Sequence, residues 1–151
     1  MQEEFILDAL NELIETCQDS EQDFLLCAQQ INASDIKQRF LDRAKRAHKD
    51  TIELRAHVVE YGVKGQVTGS VSSALKRAWL RLQGAVLRPS EQAWLRACSE
   101  AEVRLLKRYR VVMQTSLLPA PVQATLVRHF HAWQHVHHQM RSMHGLLKAS
   151  M

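Results

Sequence analysis

LNELIETCQDSEQDFLLCAQQI, Leu10 to Ile31, carries apolar residues at 10, 14, 17, 24, 28 and 31, a step that alternates between three and four. That spacing keeps one face of an α-helix apolar and is the seam of a helix bundle. The stretch holds no Gly or Pro, so nothing interrupts the helix before "INASD", where Asn32 or Ser34 is available to cap a second one. The chain beyond repeats the pattern. Phe40, Ala44, Ala47, Leu54, Val58 and Tyr61 mark a second helix that ends at Gly62. "GVKGQVTGS" is a glycine-rich break, and Ser70 or Ser72 can cap a shorter helix after it. Pro89 and Ser90 open a third long helix with its seam at Trp94, Cys98, Ala101, Leu105, Tyr109 and Val112. "LLPAP" ends it, and Pro119 and Pro121 start a fourth.

The helices are therefore expected at about 2–31, 34–61, 71–87, 90–116 and 120–148 of a single domain. Each long pair has a tight connection and forms an antiparallel hairpin. About 28 residues, with a helix near 25 Å long, separate the hairpins and can carry the chain from one end of the bundle to the other. The expected fold is all-α: a ferritin-like four-helix bundle, two antiparallel hairpins joined by a long crossover that contains a short helix.

Composition agrees. The 151 residues are 46% apolar and 24% charged, enough to bury a core, and eight Gly and Pro with 6% aromatics do not suit an all-β fold. No apolar run reaches the ~20 residues of a membrane span, and the acidic, helical N-terminus is not a signal peptide. Cys17, Cys27 and Cys98 are an odd number without CxxC spacing and lie on apolar stripes, which fits buried thiols in a cytoplasmic protein. The formal charge of +4 is spread along the chain without DNA-reading motifs, so it describes solvated helix faces and not a nucleic-acid partner. There is no GxSxG, no Walker loop and no identifiable small-molecule substrate motif.

The segment Leu10 to Phe24 resembles the start of a bacterial family of ferritin-like four-helix bundles of unknown function, which shows LNxLIETxxDGExGF there. "EL" at Glu53–Leu54, "GSVSSALKRAW" at 69–79 against GSxxxALHRxW, and "ACSEAE" at 97–102 against CExGE extend the likeness in order along the chain. A histidine late in the last helix completes it. The resemblance implies a ferritin-like fold and a metal–carboxylate site. Ser20 stands where the pattern has Gly, Lys76 where it has His and Ser99 where it has Glu.

Polar residues in core register are the candidates for a site, because a bare buried charge has to be paired, protonated or metal-bound. Glu21 lies in the first seam, Glu102 borders the third, and His137 falls in the fourth beside Phe130, Trp133 and Met140. Counted along the helices, the three lie about 11, 12 and 10 residues down, within a few ångströms of one level. They make a candidate mononuclear metal site with His48 or Glu53 as fourth ligand, for iron, manganese or zinc. The alternative is a hydrogen-bonded polar cluster around a water or with Arg43 as counter-charge. Glu53 sits about two turns lower on the flank, with Asp50 and His57 nearer the seam. A di-iron centre requires two Glu-x-x-His motifs, which are missing from the helices that should carry them. "HVVE" at 57–60 reads as a solvated contact one turn apart.

Five histidines fall between His129 and His138. His131, His135 and His138 point outward and would bind metal only from solution, His129 lies on the shoulder of the stripe, and His137 alone points into the core. The leading functional expectation is a ferritin-like bundle protein, stress-related by analogy, with a weak or degenerate metal site. A metal-free homodimerisation module, with Trp79, Trp94 or Trp133 on its surface, is the alternative from another class, and a di-iron oxidase the third.

Overall fold

The computed structural model describes residues 2–60, 90–115, 118–140 and 143. Among them are four long helices and no strand: α1 (Gln2–Gln30), α2 (Ser34–Glu60), α3 (Glu91–Thr115) and α4 (Ala120–His138). The expected short helix near 71–87, the glycine-rich break with Gly62, Lys76 and Trp79, and the fourth helix's extension toward 148 lie outside the described residues.

Three residues, Ile31 to Ala33, reverse the chain between α1 and α2, and Ile31 is itself buried there. The backbone N–H of Asn32 donates to Glu91 Oε1 at 2.9 Å, which ties this turn to the start of α3. Ser90 caps α3, its Oγ accepting from the Ala93 N–H at 3.1 Å. α4 begins with no side-chain cap, and Pro121 in its first turn removes a donor that would otherwise be unsatisfied.

Pairs between helices give their directions. Cys17–Tyr109 and Asp23–Arg104 join α1 to α3, numbers rising on one as they fall on the other, so the two are antiparallel. Arg43–Glu102 and Asp50–Tyr109 join α2 to α3 with numbers rising together, so those two run parallel. α4 opposes both α2, through His129–Asp50 and Arg43–Val136, and α3, through Tyr109–His129 and His137–Glu102. α1 packs against α2 and α3, and α3 against α4. The fourth side, between α2 and α4, is bridged by long polar side chains.

The core runs the bundle's length: Leu10, Leu13, Ile14 and Phe24 of α1, Ile36, Phe40 and Leu54 of α2, Leu95 and Leu105 of α3, and Leu126 and Trp133 of α4 are all essentially inaccessible. Each such side chain contributes roughly 1.5–3 kcal/mol by leaving water. Phe24 and Trp133 stack across the centre, ring centroids 5.6 Å apart. Cys17, Cys27 and Cys98 are free and buried, and burial pushes the Cys17 and Cys27 thiols up to about 12, so they fill space as small apolar groups. Trp94 and Trp133 belong to the core and not to the surface.

Candidate metal centre

Polar side chains penetrate this core at two levels. At the upper level Glu102 is wholly inaccessible and Arg43 nearly so. Arg43 Nε donates to Glu102 Oε2 at 2.6 Å, while Nη1 and Nη2 donate to the carbonyls of Arg39 and Val136, both at 3.0 Å. The guanidinium thereby neutralises Glu102 and fastens α2 to α3 and α4 together. His137 Nδ1 lies 3.1 Å from the other oxygen, Glu102 Oε1. Glu102 and His137 therefore meet, with Arg43 as the counter-charge. Glu21 belongs elsewhere: its Oε1 is 3.0 Å from Nδ1 of His48, a largely exposed side chain on the α1–α2 flank.

About two turns along α2 from Arg43 is the second level, Asp50, Glu53 and His129. Asp50 stands three residues after Ala47 and four before Leu54, in the register that points α2 inward, and is buried. Glu53 is one turn on and partly exposed. His129 stands three residues after Leu126 and four before Trp133 and is only 2% exposed. The three offer one imidazole nitrogen and two carboxylate oxygens within 4.8 Å of one another.

His129 Nε2 is 3.3 Å from Asp50 Oδ1 and 3.5 Å from Glu53 Oε1, yet it is aligned with neither as a well-formed hydrogen bond. A buried ring nitrogen without a well-formed hydrogen bond is uncommon and calls for a reason. The other nitrogen, Nδ1, lies 2.9 Å from the Tyr109 hydroxyl. In the tautomer whose Nδ1–H donates to Tyr109, Nε2 turns a lone pair toward two carboxylates. Burial holds His129 below its usual range despite those carboxylates, which favours the neutral ring. Lone pair facing lone pair is repulsive, and a cation placed between them removes the repulsion.

Surrounding groups hold the donors still. Trp133 Nε1–H donates to Asp50 Oδ2 at 2.8 Å, and the Tyr109 hydroxyl approaches the same oxygen at 3.5 Å. Arg128 grips Glu53 through both terminal nitrogens. That bond holds Glu53 below its ordinary range, whereas burial raises Asp50. Cys17 Sγ lies 3.5 Å from the Tyr109 hydroxyl behind the site. On the next turn His57 Nε2 pairs with Thr125 Oγ1 at 2.9 Å and its Nδ1 lies 3.7 Å from Glu60, the contact expected of "HVVE".

Of the five residues expected to bind metal, the structure brings Glu53 into this cluster, pairs Glu102 with His137 and pairs Glu21 with His48. A seam of α4 through Phe130 passes His129 by, one residue away. The steps 126, 129 and 133 are an equally good seam and would have found it. His131, His135 and His138 are exposed.

Residues 5–115 match the family model described as Domain of unknown function (DUF2383). No curated protein is similar enough to be matched. The matched stretch contains Asp50, Glu53 and Tyr109; α4, with His129, lies beyond it. No helix among the described residues is long and apolar enough to cross a membrane.

Proposed function

We propose that this chain, which belongs to the DUF2383 family of unknown function, is a metal-binding helical bundle that holds one divalent ion between Asp50, Glu53 and His129. The observation that carries this reading is the Nε2 of a buried histidine, without a well-formed hydrogen bond, facing two carboxylate oxygens at 3.3 and 3.5 Å. Donors at about 2.1 Å from one tetrahedral ion stand roughly 3.4 Å apart. The Tyr109 and Trp133 bonds behind His129 and Asp50 are the outer contacts that orient metal ligands. An imidazole with two carboxylates suits zinc, manganese or iron.

Three protein donors leave coordination positions open toward the space between α2 and α4, and an ion held so supplies Lewis-acid or redox chemistry. The parallel course of α2 and α3 supports a ferritin-like bundle with one crossover, and with it a stress-related role by analogy of fold. A dinuclear carboxylate centre needs donors from all four helices. Here α1 and α3 bring Cys17 and Tyr109 up to the cluster as outer contacts, and a mononuclear site is the better fit. The buried Glu102, already neutralised by Arg43, serves as a structural ion pair.

Metal analysis of untagged protein tests the reading. The expected result is one equivalent of a first-row divalent ion, kept when His131, His135 and His138 are replaced by Asn and lost in His129→Ala. Stoichiometric metal in a folded His129→Ala protein, or none in the wild type after incubation with zinc, manganese and iron(II), would overturn it.

A further inference from the structure

Beside the cluster, α2 and α4 enclose a cleft of about 470 Å³. Its walls carry more positive charge than the proteins' own acids balance. Arg43 is committed to Glu102 and Arg128 to Glu53, but Arg39, Lys45 and Lys49 make no ion pair with another described residue, and Arg46 acts on Asp50 without a direct ion pair. Asp42, the cleft's remaining carboxylate, accepts from Gln38 at 3.0 Å. Arg39 and Arg46, two turns apart, stand on the same face of α2 as Asp50 and Glu53, Arg46 one turn above the cluster. An excess of positive charge lining a concave wall draws an anion into it.

We propose that this cleft binds a phosphate group carried on a small organic molecule, with Arg46 gripping its oxygens and Arg39, two turns farther from the cluster, facing the rest of the molecule. The inference rests on the metal reading above, because a further phosphate oxygen takes an open position on the ion at Asp50, Glu53 and His129. Six basic side chains outnumber Asp42, Asp50, Glu53 and the Glu102 held by Arg43, and a divalent ion at Asp50 and Glu53 adds two more positive charges, so the loaded cleft is more strongly cationic than the empty one. Arginine forks match the geometry of phosphate oxygens and bind them in pairs. The volume falls in the range of roughly 300–1,000 Å³ that holds small organic ligands, which leaves room beyond a bare phosphate ion.

The test uses manganese-loaded and metal-free protein at physiological ionic strength, where exposed charge alone is screened. Inorganic phosphate and phenyl phosphate are titrated calorimetrically, and phosphorus NMR reports line broadening by the bound manganese. Phenyl phosphate is expected to bind the loaded protein about tenfold or more tighter than the metal-free form, a difference of about 1.4 kcal/mol. Its signal should broaden, and Arg39→Gln with Arg46→Gln should weaken phenyl phosphate binding about tenfold or more while one equivalent of manganese still binds. Tighter binding of phenyl phosphate than of inorganic phosphate supports an organic ligand, and the reverse order overturns that part in favour of free phosphate. Manganese bound normally with no phosphate response, or a response indifferent to both arginines, overturns this inference and leaves the metal site standing. Failure of every ion to bind overturns the metal reading and this inference with it.

Discussion

Asp23 is the titrating residue with the plainest consequence away from the cluster. Burial raises its carboxyl to about 6 from an ordinary 3.8, against the opposing pull of Arg104, whose Nη2 is 2.8 Å away. A carboxyl that holds its proton more tightly folded than unfolded stabilises the fold at low pH and loses that advantage as pH rises. Stability should therefore fall between about pH 4 and 6 and level off above, by no more than about 3 kcal/mol. Denaturant titrations across that range should show a smaller decline in Asp23→Asn. Tyr109 tests the support of the proposed metal site. Tyr109→Phe removes the hydroxyl that faces His129 Nδ1 and should weaken metal binding by roughly 10–100-fold, the usual effect of losing an outer partner. Unchanged affinity by competition with a chelating dye would show that the hydroxyl orients nothing.

Helices in this bundle are held by a few specific groups as well as by apolar burial. Arg43 and Glu102 join α2 to α3 where both side chains are buried. Glu102→Ala strands the guanidinium inside and should destabilise the fold by about 3–5 kcal/mol in denaturant unfolding. Arg43→Met with Glu102→Leu removes both charges and should recover most of that loss. At the start of α3 the Ser90 hydroxyl satisfies a backbone donor that the helix leaves open. Ser90→Ala should cost about 1 kcal/mol, a shift of roughly 2–4 °C in the thermal midpoint of a chain this size. No shift would mean that water replaces the cap.

Across the whole molecule, the cluster joins α2 to α4 on the side where the bundle is bridged by polar side chains. An ion bound there links two helices that the unfolded chain does not hold together, so binding adds to folding stability. At a hundredfold excess over its dissociation constant the gain is about 2.7 kcal/mol. The thermal midpoint should rise by roughly 5–11 °C on adding the ion and fall back with chelator. Scanning calorimetry of His129→Ala should show no rise. A rise of equal size in that variant would place the stabilising ion elsewhere, with the exposed histidines the first suspects.

Much of the architecture was legible along the chain. Leu10, Ile14, Cys17, Phe24 and Ile31 repeat with a helical step, and that step depends only on neighbours within two turns, so four amphipathic helices and an all-α bundle follow from local chemistry. Arg43 was identifiable as a partner for Glu102 because both fall in core register at one depth. Depth along a helix is local, but the direction a side chain takes around the axis at a crossing is not. Glu21 shares the level of Glu102 and His137 yet turns to the α1–α2 flank, where it meets His48. One residue of register in α4 separates Phe130 from His129, and a single helix accommodates either as its seam. Only packing against α2 and α3 selects His129, bringing Nε2 to Asp50 and Glu53 and Nδ1 to Tyr109, because those approaches are set by the rotation of three helices at once.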